Sequence, residues 1–372
     1  MRTNTFKTLL TVLSLGAIFF SSCKKDKTEP QFLGEITGTK GIYVLNEGNM
    51  GGGNSAITYY DITTGNTIAD YYKQVNGTNL GESANDLKQY GSKMYCVVSG
   101  TQGEQSSFVD VIDIATGKSL KRIPFNGGAG GYMPRYIAFY KNKAYVSRYD
   151  GVVSRIDTAS LTVDANLQLK KGNDNAAGLE GLAVANGKLY VAGSSHYLYE
   201  NSLEDKVVVV DLNTFTETKR ISVSDNPAKI VAAENGDLLV TSLGIYLQSE
   251  PALTKISSTT DAVTKVYDYN VGPLAIYKNQ AYLIMDWNSG VFPFDIAAGT
   301  LGSSSFIKDN SQLSLLYGIT VNNFDQSVVI TDAISYSATE GKVYVFDKDG
   351  KAKYNFKSAQ GPQSAVFNYT YR

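Results

Sequence analysis

Residues 134–161 read PRYIAFYKNKAYVSRYDGVVSRIDTASL. Three short apolar stretches alternate with polar residues, and each is closed by a turn signal. PRYIAFY and KAYVSRY are joined by Lys-Asn-Lys, and VVSRID runs into an aspartate-led turn. Alternation of period two over six or seven residues marks half-buried strands. Nothing in the stretch has the 3.6-residue period of a helix. One such unit cannot bury its own faces, so its meaning depends on recurrence.

It recurs. Equivalent strands begin at Ile42, Met94, Ala144, Leu189, Leu238, Ala281 and Val328, 43 to 52 residues apart. Six leading strands precede them: ANDLKQY (84–90), PRYIAFY (134–140), LEGLAVA (179–185), PAKIVAA (227–233), GPLAIYK (272–278) and YGITVNN (317–323). Tight turns such as Asn186-Gly187-Lys188 join leading to central strands, as hairpins require. A third strand follows each and ends in a turn such as Asp61-Ile-Thr-Thr-Gly65. There the aspartate caps the turn and glycine takes positive φ. Units of this length built only from short strands belong to β-propeller blades, not helical solenoids.

The first unit lacks its own leading strand, and residues 361–369, GPQSAVFNY, match the missing one. The expected fold is therefore an all-β, seven-bladed propeller of four-stranded blades, closed by its C-terminal strand. Closure removes the open sheet edge. The glycine-rich NEGNMGGGN (46–54) is followed by neither a helix nor Lys-Ser/Thr. It reads as the loop between second and third strands, not a phosphate loop.

The N-terminus carries a different message. Arg2 and Lys7 precede an apolar run, Leu9–Phe20, too short to span a bilayer, and then Ser-Ser-Cys23. Residues 1–22 read as a signal peptide whose end resembles a lipobox, with Cys23 the lipidated residue. Residues 23–38, beginning CKKDKTEP, suit a flexible tether, leaving 39–372 to the propeller. Lys24 in place of an aspartate resembles outer-membrane sorting, and the expected address is the cell outer membrane, surface-exposed.

The full chain has a formal net charge of −1, and without residues 1–22 the balance is −3. Near-neutral charge with no basic block argues against nucleic acid. Cys96 would be the one free thiol, so neither a disulfide framework nor a cysteine metal cluster is available, and it reads as a core residue.

Loops entering the leading strands, and those joining second to third strands, are long and polar. The opposite turns are short. The long-loop face is the expected binding face. Its aromatic candidates are Tyr132, Tyr136, Tyr149, Tyr197, Tyr246, Trp287, Tyr317 and Tyr336. Asn46, Asn85, Arg135, Arg148 and Glu180 offer hydrogen bonds there. With 26 tyrosines in the chain, many must also pack between blades.

His196 is the one histidine, which excludes a three-histidine zinc site and leaves a triad little to use. No cofactor is expected. Glu47, Asp86, Glu180 and Asp286 could gather around a calcium ion, although no EF-type loop is present. Thr158 in Asp-Thr-Ala could accept an O-glycan.

The recurrent YV…D..TG blades with Asn-x-Gly turns resemble YncE-like, YVTN-type propellers. YVLNEGNMGGGNSAITYYD, behind a lipoprotein signal, is similar to their surface-lipoprotein branch in Bacteroidota. BtuG-type members of that group capture corrinoids and pass them to a TonB-dependent transporter. The resemblance implies a non-catalytic, lipid-anchored solute binder, with a corrinoid (vitamin B12) as ligand and such a transporter as partner. Two other readings stay open: a propeller that docks a protein or glycan at the envelope, and a lactonase- or lyase-like enzyme.

Overall fold

The computed structural model describes residues 33–49, 52–100, 106–125, 133–195, 200–288, 290–309 and 311–372. The signal peptide and most of the tether lie outside the described residues. Seven four-stranded antiparallel sheets form the molecule, with a two-residue-per-strand hairpin at Lys170–Lys171 and Asp174–Asn175. Their innermost strands are Pro362–Tyr371, Ser83–Tyr90, Pro134–Tyr140, Leu179–Ala185, Pro227–Ala232, Val271–Tyr277 and Leu316–Val321, of blades 1 to 7 in turn. Each inner strand touches the next, and blade 7 returns to blade 1, so the ring is complete. One short helix, Tyr71–Asn76, follows blade 1. It is capped by Asp70, whose carboxylate accepts from Lys73 N, and by Gly77 at φ 71°.

Blade 1 closes the ring as the repeat predicts. Pro362–Tyr371 pairs with the whole of Ile36–Asn46. Residues 36–38, placed in the tether by their composition, are thus part of the closing ladder. Arg372 Nε donates to Glu35 Oε2 at 3.0 Å just beyond it.

Seven apolar clusters lie between neighbouring blades, one per interface. Tyr43, Leu45, Leu87, Met94 and Cys96 fill the joint between blades 1 and 2; Ile42, Val44, Val329, Val343, Phe356 and Phe367 fill the joint between 7 and 1. Each fully buried Val, Leu or Phe stabilises by roughly 1.5–3 kcal/mol. Cys96 is fully buried, and burial pushes its thiol well above its ordinary pKa.

The turns follow the predicted chemistry. Asp61, Asp113, Asp157 and Asp211 each accept the amide of the residue three positions on, at 2.8 to 2.9 Å. Gly65 sits at φ 72°, and Leu161 and Phe215 accept the same left-handed conformation at φ 55° and 54°. Thr158 is mostly buried and its hydroxyl donates to Asn142 O at 3.0 Å, which leaves the proposed glycan acceptor engaged in the fold.

Candidate functional site

Inner strands run from the long-loop face toward the short-turn face, and each is irregular near its start. Register shifts fall between Ala84 and Asp86, Pro134 and Ile137, Leu179 and Leu182, Pro227 and Lys229, Val271 and Leu274, and Leu316 and Gly318; a seventh separates the partners Ser364 and Pro362. A bulge breaks alternation and re-aims the side chains beside it. Repeated at the same place in every blade, it gathers Asn85, Arg135, Glu180, Tyr317 and Gln363 around the mouth of the central channel.

Arg135 is the centre of this cluster. Its Nε donates to Glu180 Oε2 at 3.1 Å, and its Nη1 donates to Asn85 Oδ1. Its guanidinium lies 4.8 Å from the ring centre of Tyr149 and 5.7 Å from that of Tyr136. Tyr149 donates its hydroxyl to Glu180 Oε1 at 2.6 Å. Burial works against the Arg135 charge, but the facing Glu180 carboxylate outweighs it and raises the pKa. The same burial raises Tyr136 and Tyr149, keeping both phenols neutral at ordinary pH.

Across the mouth, Glu47 Oε2 accepts from the Tyr317 hydroxyl at 2.8 Å and from Gln363 Nε2 at 2.7 Å. Trp287 stands beside Tyr317, with ring centres 6.5 Å apart. It is fixed from both sides: its carbonyl accepts Leu316 N at 3.0 Å, and Gly272 leaves room for the indole, which a Cβ there would meet at 3.1 Å. The mouth thus presents aromatic faces, a guanidinium, carboxylates and amides in fixed positions.

The structure brings together Asn85, Arg135, Tyr136, Tyr149, Glu180 and Tyr317, with Trp287 at the rim. Tyr336 is 77 % exposed and close enough to perturb Tyr317. Two expected candidates are not at the mouth. Asn46 is fully buried, and its amide donates to Val44 O, Ala56 O and Thr58 Oγ1, so it ties the end of its own blade. Arg148 is also buried, held by Asp150 and by Ser154 Oγ at 2.9 Å. Both sit on second strands, whose side chains enter the blade joints rather than the channel. Tyr246 projects from a loop tip at 89 % exposure. Tyr132, His196, Tyr197 and Cys23 lie outside the described residues.

Sequence reasoning missed Gln363 and Lys229. Lys229 follows the bulge of its strand as Asp86 follows that of blade 2. Aligning PAKIVAA on ANDLKQY would have found it. Among the described residues, no group of three or more histidine, cysteine, aspartate or glutamate side chains is arranged to hold a metal ion. Asp86 instead accepts Ile137 N at 3.0 Å and pairs with Lys88 at 3.2 Å. Toward the short-turn end the channel becomes apolar, with cavities of about 590 and 510 Å³ that share Tyr90 and Phe139 in their walls.

Known proteins place the fold but not the ligand. The chain is similar in structure to apo AztD from Citrobacter koseri, at 10% identity, covering 90% of this chain and 99% of that one with a TM-score of 0.57. It is also similar to Kuenenia stuttgartiensis hydrazine synthase (15% identity, 70% and 74% covered, TM-score 0.52). The WD40 domain of Neurospora crassa Pan2 is comparable (11% identity, 76% and 81% covered, TM-score 0.52). At such identities the likeness shows the fold alone. No curated protein sequence matches the chain. Residues 40–368 match the family model described as a domain of unknown function, DUF5074, and the chain belongs to that family.

Proposed function

We propose that this DUF5074 propeller is a non-catalytic binding protein that captures a bulky, partly planar solute at the long-loop mouth of its channel. The observation that carries the reading is the fixed arrangement around Arg135. Tyr136, Tyr149, Glu180 and Asn85 hold one cation in place before any ligand arrives. Preorganised polar groups lose little freedom on binding, and aromatic walls supply contact area. A corrinoid fits this chemistry: a flat macrocycle for Trp287 and the tyrosines, with peripheral amides that both donate and accept. The sequence resemblance to corrinoid-capturing lipoproteins supports the same ligand. It extends the proposal to a chain anchored through Cys23 at the outer-membrane surface that passes its solute to a TonB-dependent transporter.

Cyanocobalamin tests it. At a hundredfold excess over its Kd a ligand adds about 2.7 kcal/mol of stability, enough to raise the melting temperature visibly. Trp287→Ala is expected to shrink that rise with an unchanged circular dichroism spectrum. No heat and no shift with any corrinoid would remove the ligand assignment.

A second reading has one specific observation in its favour. Leu243, Tyr246 and Leu247 project from a single long-loop tip at 50, 89 and 88 % exposure. A protein docked on that tip would be lost with Tyr246→Ser and Leu247→Ser, while corrinoid binding would be untouched.

A further inference from the structure

Charge accounting along the channel leaves one group over. Among the described residues, three carboxylates reach it near the mouth, and each is already held. Asp86 is taken by Lys88 and Ile137 N, Glu180 by Arg135 and Tyr149, and Glu47 by Tyr317 and Gln363. Two of the channel cations are likewise committed: Arg135 to Glu180, and Lys88 to Asp86 and to Ile137 O at 2.6 Å. Lys229 is the third, and among the described residues its ammonium has no acceptor. It feels the charges of Asp86, Lys88, Glu47 and Glu180, which belong to three other blades, an arrangement available only near the ring axis. The residue is half-buried, so part of its surface stays open. Gly181 lets the neighbouring inner strand approach: a Cβ there would stand 2.7 Å from Ala228 O and 2.9 Å from Lys229 Cα. The strand that carries Lys229 is therefore held firmly against blade 4.

We propose that Lys229 is the seat for an anionic group, a carboxylate or a phosphate, of the solute that enters the channel from the long-loop mouth. The proposal rests on reading that mouth as a capture site. A half-buried ammonium without a counter-charge loses part of its hydration and gains no partner in return. Burial accordingly lowers its pKa below the usual lysine value, Asp86 opposing and Lys88 adding to the effect. A ligand anion would supply the missing acceptor and a charge-assisted hydrogen bond. It would also fix ligand depth, since aromatic faces at the rim allow sliding and a single buried cation does not.

Reductive methylation of lysines, mapped by mass spectrometry, tests this in the wild-type protein without knowledge of the ligand. Inorganic phosphate and acetate are compared with chloride at equal ionic strength. An anion at about ten times its Kd should slow methylation of Lys229 roughly tenfold and leave Lys348 unchanged. Protection by phosphate alone assigns a phosphate, and by acetate alone a carboxylate. Protection by neither overturns the seat. In Lys229→Met the domain should melt no lower than wild type, because an unpaired charge is removed, and the protective anion should no longer raise its melting temperature. If Lys229 is shielded but no corrinoid binds, the ligand assignment fails and the seat stands. If a corrinoid binds without shielding Lys229, the reverse holds.

Discussion

The Tyr317 hydroxyl donates to Glu47 Oε2 at 2.8 Å across 270 residues of sequence. Tyr317 begins the inner strand of blade 7, and Glu47 leaves the second strand of blade 1. The bond therefore spans the joint at which the ring is completed. Site and closure share residues, since Gln363 of the closing strand donates to the same oxygen at 2.7 Å. Deleting residues 362–372 should expose Ile42 and Val44, lose both bonds and abolish cooperative unfolding. Thermal and urea melts of the truncated chain check this, and a single sharp transition would refute it.

Glycines near the axis should divide into two kinds. A Cβ on Gly318 would stand 1.4 Å from the backbone oxygen of Gln363, which cannot step aside. Gly318→Ala is expected to cost 3 kcal/mol or more, on the order of a severe overpacking change. At Gly272 a Cβ would first meet the Trp287 indole, at 3.1 Å. Gly272→Ala should keep the fold within about 1 kcal/mol and weaken ligand binding by displacing that ring. Urea titrations and ligand-induced melting shifts separate the two.

Asp110 is fully buried and accepts three hydrogen bonds, and a fourth between two of its partners completes the network. The Tyr72 hydroxyl donates to it at 2.5 Å and Ser119 Oγ at 2.6 Å, while Arg122 Nε donates at 3.1 Å and Arg122 Nη2 reaches Tyr72 at 2.8 Å. Burial, then the Asp110 bond, pushes the Tyr72 phenol up to about 12. Asp110→Ala should destabilise by about 3 kcal/mol, the low end for breaking a buried pair because Arg122 stays partly exposed. The short helix that carries Tyr72 should lose amide-exchange protection first.

Asp157 sets part of the acid response. The Lys143 ammonium at 2.8 Å, followed by the Ser160 amide, holds its carboxyl at about 2, below the usual 3.8. A depressed folded-state pKa contributes stability above about pH 4 that is lost as pH falls through 2. Both partners are partly exposed, and solvent screens the gain to about 1 kcal/mol. Asp157→Asn should therefore be less stable than wild type at pH 6, with most of the difference gone by pH 2, in paired denaturant melts.

Cys23→Ala tests the address. The variant is expected in the aqueous phase of a detergent partition and the wild type in the detergent phase, since no helix among the described residues is long and apolar enough to cross a membrane. A variant that still enters detergent would place the anchor elsewhere.

The ring was readable because each blade repeats one local signal. Apolar alternation, an aspartate turn and a matched C-terminal strand are consequences of neighbours in sequence. The site was only partly readable. Arg135, Glu180 and Tyr317 could be placed at the mouth because they open leading strands. Asn46 and Arg148 carry the same polar chemistry on second strands, where period two points them into blade joints. Bulges decide which residues turn toward the axis, and a bulge depends on pairing between strands rather than on residue type. Lys229 escaped notice for that reason, in a strand otherwise made of Pro, Ala, Ile and Val.

The first strand, Ile36–Asn46, starts at the short-turn end beside Arg372 and finishes at the long-loop mouth. Eleven extended residues put roughly 30 Å between those points. Both chain ends thus leave the domain from the side opposite Arg135 and Trp287. Whatever grips the protein by either end holds it like a cup by its foot, with the opening turned outward, and immobilisation through a tag at residue 372 should leave the long-loop approach to Lys229 clear.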